Sequence, residues 1–331
     1  MADATPATPE NGASASPETA AVPQPPAEAQ PTSTAPAQPV AAVPAAAPKK
    51  YRASINKVPL PPDFVLAVQE LEKLLQRPIW LLVQQQGMLE GNVYDGFFAA
   101  RAQLPSTPVA LLVRSPGGQA KAAYQIARLL RRHCSSFTAI VPTYAKSAAT
   151  LLCLGADMIL MGENAELGPL DVQLTDFHRE WHGSALDEIQ ALERLNAEAL
   201  SVIDQTMRVL ILRTKKKVDA VLPLVLNYTA TLMRPLLENV DVVQFTQRAR
   251  LLKVAEEYAT RLLEPTYGAE LAQAIAMQLV QNYPEHDFFL DADEARSLGL
   301  KVPSLSPEQA TAIDNLLPYM KLNAFGRIEE A

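Results

Sequence analysis

The sequence predicts an α/β protein built on a mostly parallel sheet, and two observations carry that expectation. Residues 109–113, 137–141 and 158–161 are apolar runs of strand length, rich in β-branched or large side chains. The first two are each followed by a helical pattern that small or special residues open. The stretch 109–174 therefore reads strand, helix, strand, helix, strand, the order that builds a layered parallel sheet. Two of its turns carry chemistry. Ser115-Pro116-Gly117-Gly118 follows the first strand, and Lys146-Ser147-Ala148-Ala149 follows the second, at the start of a helix.

Around this centre the elements fall in order. Residues 1–48 are mostly Ala and Pro with no aromatics and no apolar period, which predicts a disordered tail or extended linker. Residues 49–62 form a lead-in. Asp63 is a capping residue for a helix to about Leu75, with Val65, Val68, Leu71, Leu74 and Leu75 on one face. Arg77-Pro78 ends it, 78–83 is a strand, 87–91 a loop and 93–103 a helix with Tyr94, Phe97 and Phe98 packing. After Leu174 the pattern changes. Residues 175–183 are polar and aromatic, hence a loop, and a long helix follows over about 184–217 with Leu186, Ile189, Leu192 and Leu195, then Leu200, Ile203, Met207 and Leu210. Further helices are expected over 218–228, 241–263 and 268–282, then a short strand at 288–290 and a small helix over 291–298 stopped by Gly299. A final helix takes Ser306 as N-cap and Pro307 as its first residue.

Composition excludes several classes. The net charge of −7 gives no basic surface from which nucleic acid could release counterions, so no nucleic-acid partner is expected. Cys134 and Cys153 lie inside predicted elements without metal-ligand spacing, which predicts buried reduced thiols, no metal and a cytoplasmic setting. The opening MADATPATPE lacks the basic and apolar regions of a secretory signal. The sequence contains no uninterrupted apolar run of about 18 residues, so no transmembrane segment is expected. A nucleotide-binding signature is absent too, and no cofactor is expected.

The two turns gain meaning together. Paired glycines after a strand let backbone amides approach a ligand and point the same way, as an oxyanion hole requires. A lone SPGG is more often a plain strand-to-helix turn. Ser147 stands where a strand ends and a small-residue helix begins, so the helix dipole favours negative charge developing on its oxygen. A lone serine there is more often an N-cap. Lys146 is adjacent, and side chains at adjacent positions diverge, so it is not expected to be the base.

The Gly-Gly turn, the serine turn about thirty residues later and the following GADMILMGENAELGPLD resemble the serine peptidases of the ClpP/crotonase fold. YAKSAATLLCLGAD followed by ELGPLD resembles most the serine dehydrogenase proteinase family, relatives of signal peptide peptidase A. DADEARSLGLKV resembles that family's closing helix and strand. The resemblance spans roughly residues 77–302, and over 175–263 it rests on helical character alone. It implies a ClpP/crotonase-like spiral of repeated β-β-α units with a helical arm. On that reading residues 1–50 are the tail, 51–305 the peptidase domain with a helical insertion over about 184–282, and 306–331 a C-terminal helix and tail.

The resemblance also implies roles. Ser147 is the nucleophile, and the amides of Gly118 and Ala148 form the oxyanion hole, with Gly117 shaping the turn. For the base, His286 and Asp171 would complete a triad in which the imidazole and the acid have exchanged their usual positions in the chain, since roles follow geometry and not order. A lysine base is the alternative, with Lys215, Lys216 and Lys217 as candidates, although such a run is more often a solvated face. His178 and His182 read as loop histidines, and His133 as a partner of a helix C-terminus. The expected function is ATP-independent hydrolysis of peptides or unfolded protein by a homo-oligomer, with subunit contacts through the helices from Ser184 onward. Two rivals stand beside it: a catalytically inactive oligomeric scaffold of the same fold, and a crotonase-type acyl-CoA enzyme, which needs a carboxylate and no serine nucleophile.

Overall fold

The computed structural model describes residues 49–170, 173–176, 181–238, 240–283, 285 and 287–331. In chain order they form β1 (Tyr51–Ala53), β2 (Pro59–Leu60), α1 (Pro62–Leu75), β3 (Ile79–Gln84), α2 (Gly91–Ala99), β4 (Val109–Arg114), α3 (Ala120–His133), β5 (Phe137–Val141), β6 (Tyr144–Ala145), α4 (Ala148–Leu154), β7 (Met158–Met161) and β8 (Glu166–Leu167). There follow β9 (Gln173–Asp176), β10 (Trp181–Ser184), α5 (Ala185–Thr214), α6 (Val218–Leu237), α7 (Val242–Tyr267), α8 (Ala269–Gln281), α9 (Ala292–Ser297), α10 (Pro307–Asp314), β11 (Asn323–Gly326) and β12 (Ile328–Glu330).

The central sheet has the order β11-β3-β4-β5-β7, with β3, β4, β5 and β7 parallel and β11 antiparallel on the β3 edge. Leu81, Leu112, Ile140 and Leu160 are neighbours in register across the parallel strands. They pack with Phe64, Val65, Val68 and Leu71 of α1 and with Ala312 and Ile313 of α10. The alternate residues, among them Leu111, Val113, Ala139, Val141 and Ile159, face the opposite way and pack under α2, α3, α4, α7 and α8. Strands covered on both faces must be apolar at every position, which is why these strands stand out as continuous apolar runs. The architecture is α/β, as the sequence predicts.

A second, smaller layer rises from the strand ends. β6 pairs with β8 in parallel, and isolated bridges join Leu89 to Gly118, Ser115 to Ala145 and Leu167 to Leu290. Arg131 ties the helices behind it together. Its guanidinium donates to the carbonyls of Gly155 and Leu262 at 3.0 Å each and to Thr266 Oγ1 at 3.0 Å, fastening α3 to the end of α4 and to α7.

Several local expectations are corrected. Asp63 lies in the first turn of α1, and Pro61 holds the cap position, because the proline's fixed φ already sets the helix start. Residues 173–176 and 181–184 pair as an antiparallel hairpin where a loop is expected; polar strands of four residues give little periodic signal. Residues 288–290 make no strand, only the single bridge at Leu290. α6 runs to Leu237 past two internal prolines, Pro223 and Pro235, where a helix ending at 228 is expected. It is also long and apolar enough to cross a membrane by length and composition, although Asp219 and Arg234 interrupt its apolar run. The C-terminal stretch, read as helix and tail, adds β11 and β12, and β12 pairs with β1. The terminal helix starts as expected: Ser306 and Gln309 form a reciprocal capping box.

Cys134 and Cys153 are both free and buried. Burial pushes the Cys134 thiol up to about 11 and Cys153 further in the same direction. The folded protein thus keeps protons that unfolded thiols give up above their ordinary value of 9.0. The stability linked to them is intact below that value and is lost as pH climbs through it. The midpoint of urea unfolding should fall between neutral pH and about pH 10. A Cys153→Ala variant should lose less over the same interval.

Candidate active site

The site is assembled where β4 and β5 leave the sheet side by side. Beyond Arg114 the chain enters Ser115, fully buried, whose hydroxyl donates to Gln84 Oε1 (3.0 Å) and accepts from the Gly117 amide (3.1 Å). That hydroxyl folds the turn back onto β3. Leu89 then fastens it from the other side: its amide donates to the Gly117 carbonyl and its carbonyl accepts from the Gln119 amide, both at 2.7 Å.

Both glycines of the turn are required by space. Gly117 and Gly118 have φ of 103° and 147°, values that L side chains rarely adopt. A Cβ on Gly118 would stand 2.5 Å from the Leu89 nitrogen and oxygen. On Gly117 it would stand 2.6 Å from the Lys146 carbonyl oxygen and 3.0 Å from Ser147 Cβ. The SPGG turn therefore lies directly against the serine turn, backbone to backbone.

The serine turn is held from three sides. The Lys146 amide donates to the Ser115 carbonyl at 3.1 Å, continuing the contact between Ser115 and Ala145. Thr150 Oγ1 donates to the Ala145 carbonyl (2.6 Å) and accepts from the Gly168 amide (2.9 Å), so one buried hydroxyl joins β6, α4 and the chain after β8. Gly168 fits there because a Cβ would meet Lys146 Cδ at 2.8 Å. Between these clamps Ser147 has φ 49° and ψ −117°, outside the allowed regions for an L-residue. Its hydroxyl makes no capping bond to α4, so the ordinary reading of a serine at this place does not describe it. Lys146 points its amine elsewhere, into an ion pair with Glu166 (2.9 Å) and onto the carbonyls of Leu167 (3.4 Å) and Phe288 (3.3 Å).

Ser147 opens into a cleft of about 400 Å³. Gly118 and Ala148 line it beside the serine, and neither amide donates a hydrogen bond among the described residues. The Ala148 amide is one of the unpaired donors at a helix start, where the dipole adds positive character. The cleft can thus place two N–H donors beside one hydroxyl. Its other wall is apolar and comes from Leu151, Leu170 and, across the opening, Leu251, Val254 and Tyr258 of α7. A larger cleft of about 700 Å³ between α5, α7 and α8, with Glu193, Arg194 and Glu256 on its walls, contains none of these residues.

The structure therefore brings together Ser147, Gly117, Gly118 and Ala148. Asp171, His178 and His286 lie outside the described residues, as does the side chain of His182. Lys215, Lys216 and Lys217 are exposed at the turn between α5 and α6 and are not among the residues lining the cleft. His133 ends α3, as expected. Among the described residues no cluster of side chains could hold a metal ion. Sequence reasoning missed Gln84, Leu89, Thr150 and Gly168, whose parts depend on contacts across the fold. It also missed Lys121 and Tyr258, the ionisable side chains on the described lining. Position within α3 and α7 gave no sign that they would share a wall with Ser147.

Two substitutions test this construction. Thr150→Val keeps the shape but leaves the Ala145 carbonyl and the Gly168 amide without their partner, at a cost of about 1–3 kcal/mol in urea unfolding. Gly118→Ala drives a methyl group into the Leu89 backbone, which no side-chain rotation relieves, so it should lower the melting temperature and close the cleft to a serine-directed probe.

The chain is similar to several known proteins. Residues 92–233 match the model of a family described as ClpP-like SDH-type serine proteinases. Two uncharacterised proteins of Methanocaldococcus jannaschii are similar to this chain. One is 31% identical over 218 residues, covering 66% of this chain and 61% of its own length. The other is 28% identical over 220 residues, covering 66% and 60%. The matched region thus spans about three fifths of each relative. Among solved structures, a ClpP1 mutant from Listeria monocytogenes aligns with a TM-score of 0.37 and 12% identity, over 72% of this chain and 98% of its own. A mutant of a membrane-bound stomatin-specific protease aligns with a TM-score of 0.28 and 18% identity, over 40% and 64%. The segment that matches the ClpP-like SDH-type serine proteinase model, 92–233, holds the SPGG turn, the serine turn, α5 and most of α6.

Proposed function

We propose that the protein is a serine peptidase that hydrolyses peptides or unfolded protein through an acyl-enzyme on Ser147, without ATP. The observation that carries this reading is the juxtaposition of a strained, uncapped serine with the amides of Gly118 and Ala148, which donate to no partner among the described residues, in one cleft. A base takes the Ser147 proton as Oγ bonds to the scissile carbonyl carbon. The two amides receive the charge that develops on the carbonyl oxygen. The C–N bond then breaks, the leaving amine takes up the proton, and water releases the acyl group by the reverse path.

For the base we favour His286 oriented by Asp171. Support comes from their described neighbours. Leu170, which precedes Asp171, lines the cleft, and the carbonyl of Phe288, two residues after His286, receives the Lys146 amine beside Ser147. The lysines 215–217 stay the alternative. The apolar wall offers seats for side chains of an extended substrate, whereas an acyl-CoA enzyme would have no use for a strained serine at this place.

Labelling with a fluorophosphonate probe tests the reading. Wild-type protein should label, and Ser147→Ala should not. Casein degradation should vanish with Ser147→Ala and fall by about a hundredfold or more with His286→Ala. Absence of both labelling and casein degradation in well-folded wild type would make the chain a scaffold of the same fold. If His286→Ala has no effect while replacement of Lys215–Lys217 abolishes turnover, the base moves to the lysine run.

A further inference from the structure

The tip of the helical arm, the turn between α5 and α6, combines clustered positive charge with exposed apolar side chains. From Arg208 to Asp219 the sequence holds five cations (Arg208, Arg213, Lys215, Lys216 and Lys217) against one carboxylate, in a protein whose net charge is −7. Every residue from Leu212 to Ala220 is exposed. Large apolar side chains are interleaved with the charges: Val209, Leu212, Val218, Leu222 and Leu224, with Leu212 and Leu224 exposed by 67% and 65%. Lys215 sits at φ 57° and donates its amide to the Ile211 carbonyl, so the turn presents the lysine run in a fixed shape.

We propose that this tip docks on an anionic lipid surface. Long basic side chains reach the phosphate layer while leucines enter the acyl boundary, and each property strengthens the other at a charged bilayer. The helix lies on the surface and does not cross it. Val221, Val225, Thr229 and Met233 of α6 are buried along one seam of the arm, packing that a spanning helix would give up, and Asp219 and Arg234 stay exposed to solvent. A second copy of the chain is the competing occupant, since subunit contacts are expected from these helices. Two lysine runs facing one another in a symmetric pair would repel, whereas anionic headgroups complement them.

Co-sedimentation of the full chain with vesicles tests the proposal. Wild type should pellet with phosphatidylcholine vesicles containing phosphatidylglycerol and not with phosphatidylcholine alone, and binding should weaken as salt rises from about 0.1 to about 0.5 M. The triple change Lys215→Glu, Lys216→Glu and Lys217→Glu should weaken it about tenfold or more, with an unchanged circular dichroism spectrum. Leu212→Ser with Leu224→Ser should weaken the fraction that resists salt. The proposal fails if wild type ignores anionic vesicles or if its binding is indifferent to salt. It also fails if the lysine variant binds as well as wild type. Sedimentation velocity reads the competing case: an oligomer dissolved by the leucine changes, without vesicle binding, assigns the face to a second copy and overturns the lipid reading.

Discussion

Everything around Ser147 depends on two backbones meeting with nothing between them. The turn after β4 and the turn after β5 approach until the Gly117 Cα faces the Lys146 carbonyl, at a separation that leaves no room for a methyl group. Parallel strands make this meeting natural, because neighbouring strands end on the same side of the sheet and send their loops in the same direction. The bridge between Ser115 and Ala145 extends their pairing past the sheet proper. A serine held at φ 49° costs of order 1–3 kcal/mol, and the hydrogen bonds of Ser115, Lys146 and Thr150 surround it on the sides from which it could relax.

Lys146 shows how the same turn manages charge. An amine next to Ser147 invites the role of base, yet its stem runs under Gly168 and its head is committed to Glu166 and two carbonyls. The pair is mostly buried, with the lysine side chain 15% exposed, so breaking it would leave one charge without compensation. Its effect is mechanical. It couples the serine turn to β8 and to the chain at Phe288, the two segments that lead toward the proposed acid and base.

Much of this was legible in the sequence, and for a physical reason. Strands buried on both faces must be apolar throughout, so the strands β5 and β7 fall on the predicted residues and β4 differs by one. Gly117, Gly118 and Ser147 were singled out by the resemblance: taken alone, SPGG reads as a plain turn and Ser147 as an N-cap, and the close approach and strained backbone that set them apart emerge only in the fold. What was not legible depends on long-range pairing. Thr150 acts through a carbonyl five residues back and an amide eighteen residues on, and a threonine in a helix announces neither. β11 and β12 are short and mixed in polarity, and only partners more than two hundred residues away in sequence make them strands. The apolar wall from α7 was hidden for the same reason: periodicity shows that a helix has an apolar face, not what that face covers.

The edge of the sheet carries one more consequence. Asn323 to Gly326 pair with Gln84 to Leu81, so the border of β3 is closed by a strand that the ribosome delivers roughly 240 residues later. Until then β3 presents an open row of amides and carbonyls, on a strand whose side chains are all buried in the finished protein. Nascent chains stalled between these two points would expose that border to one another.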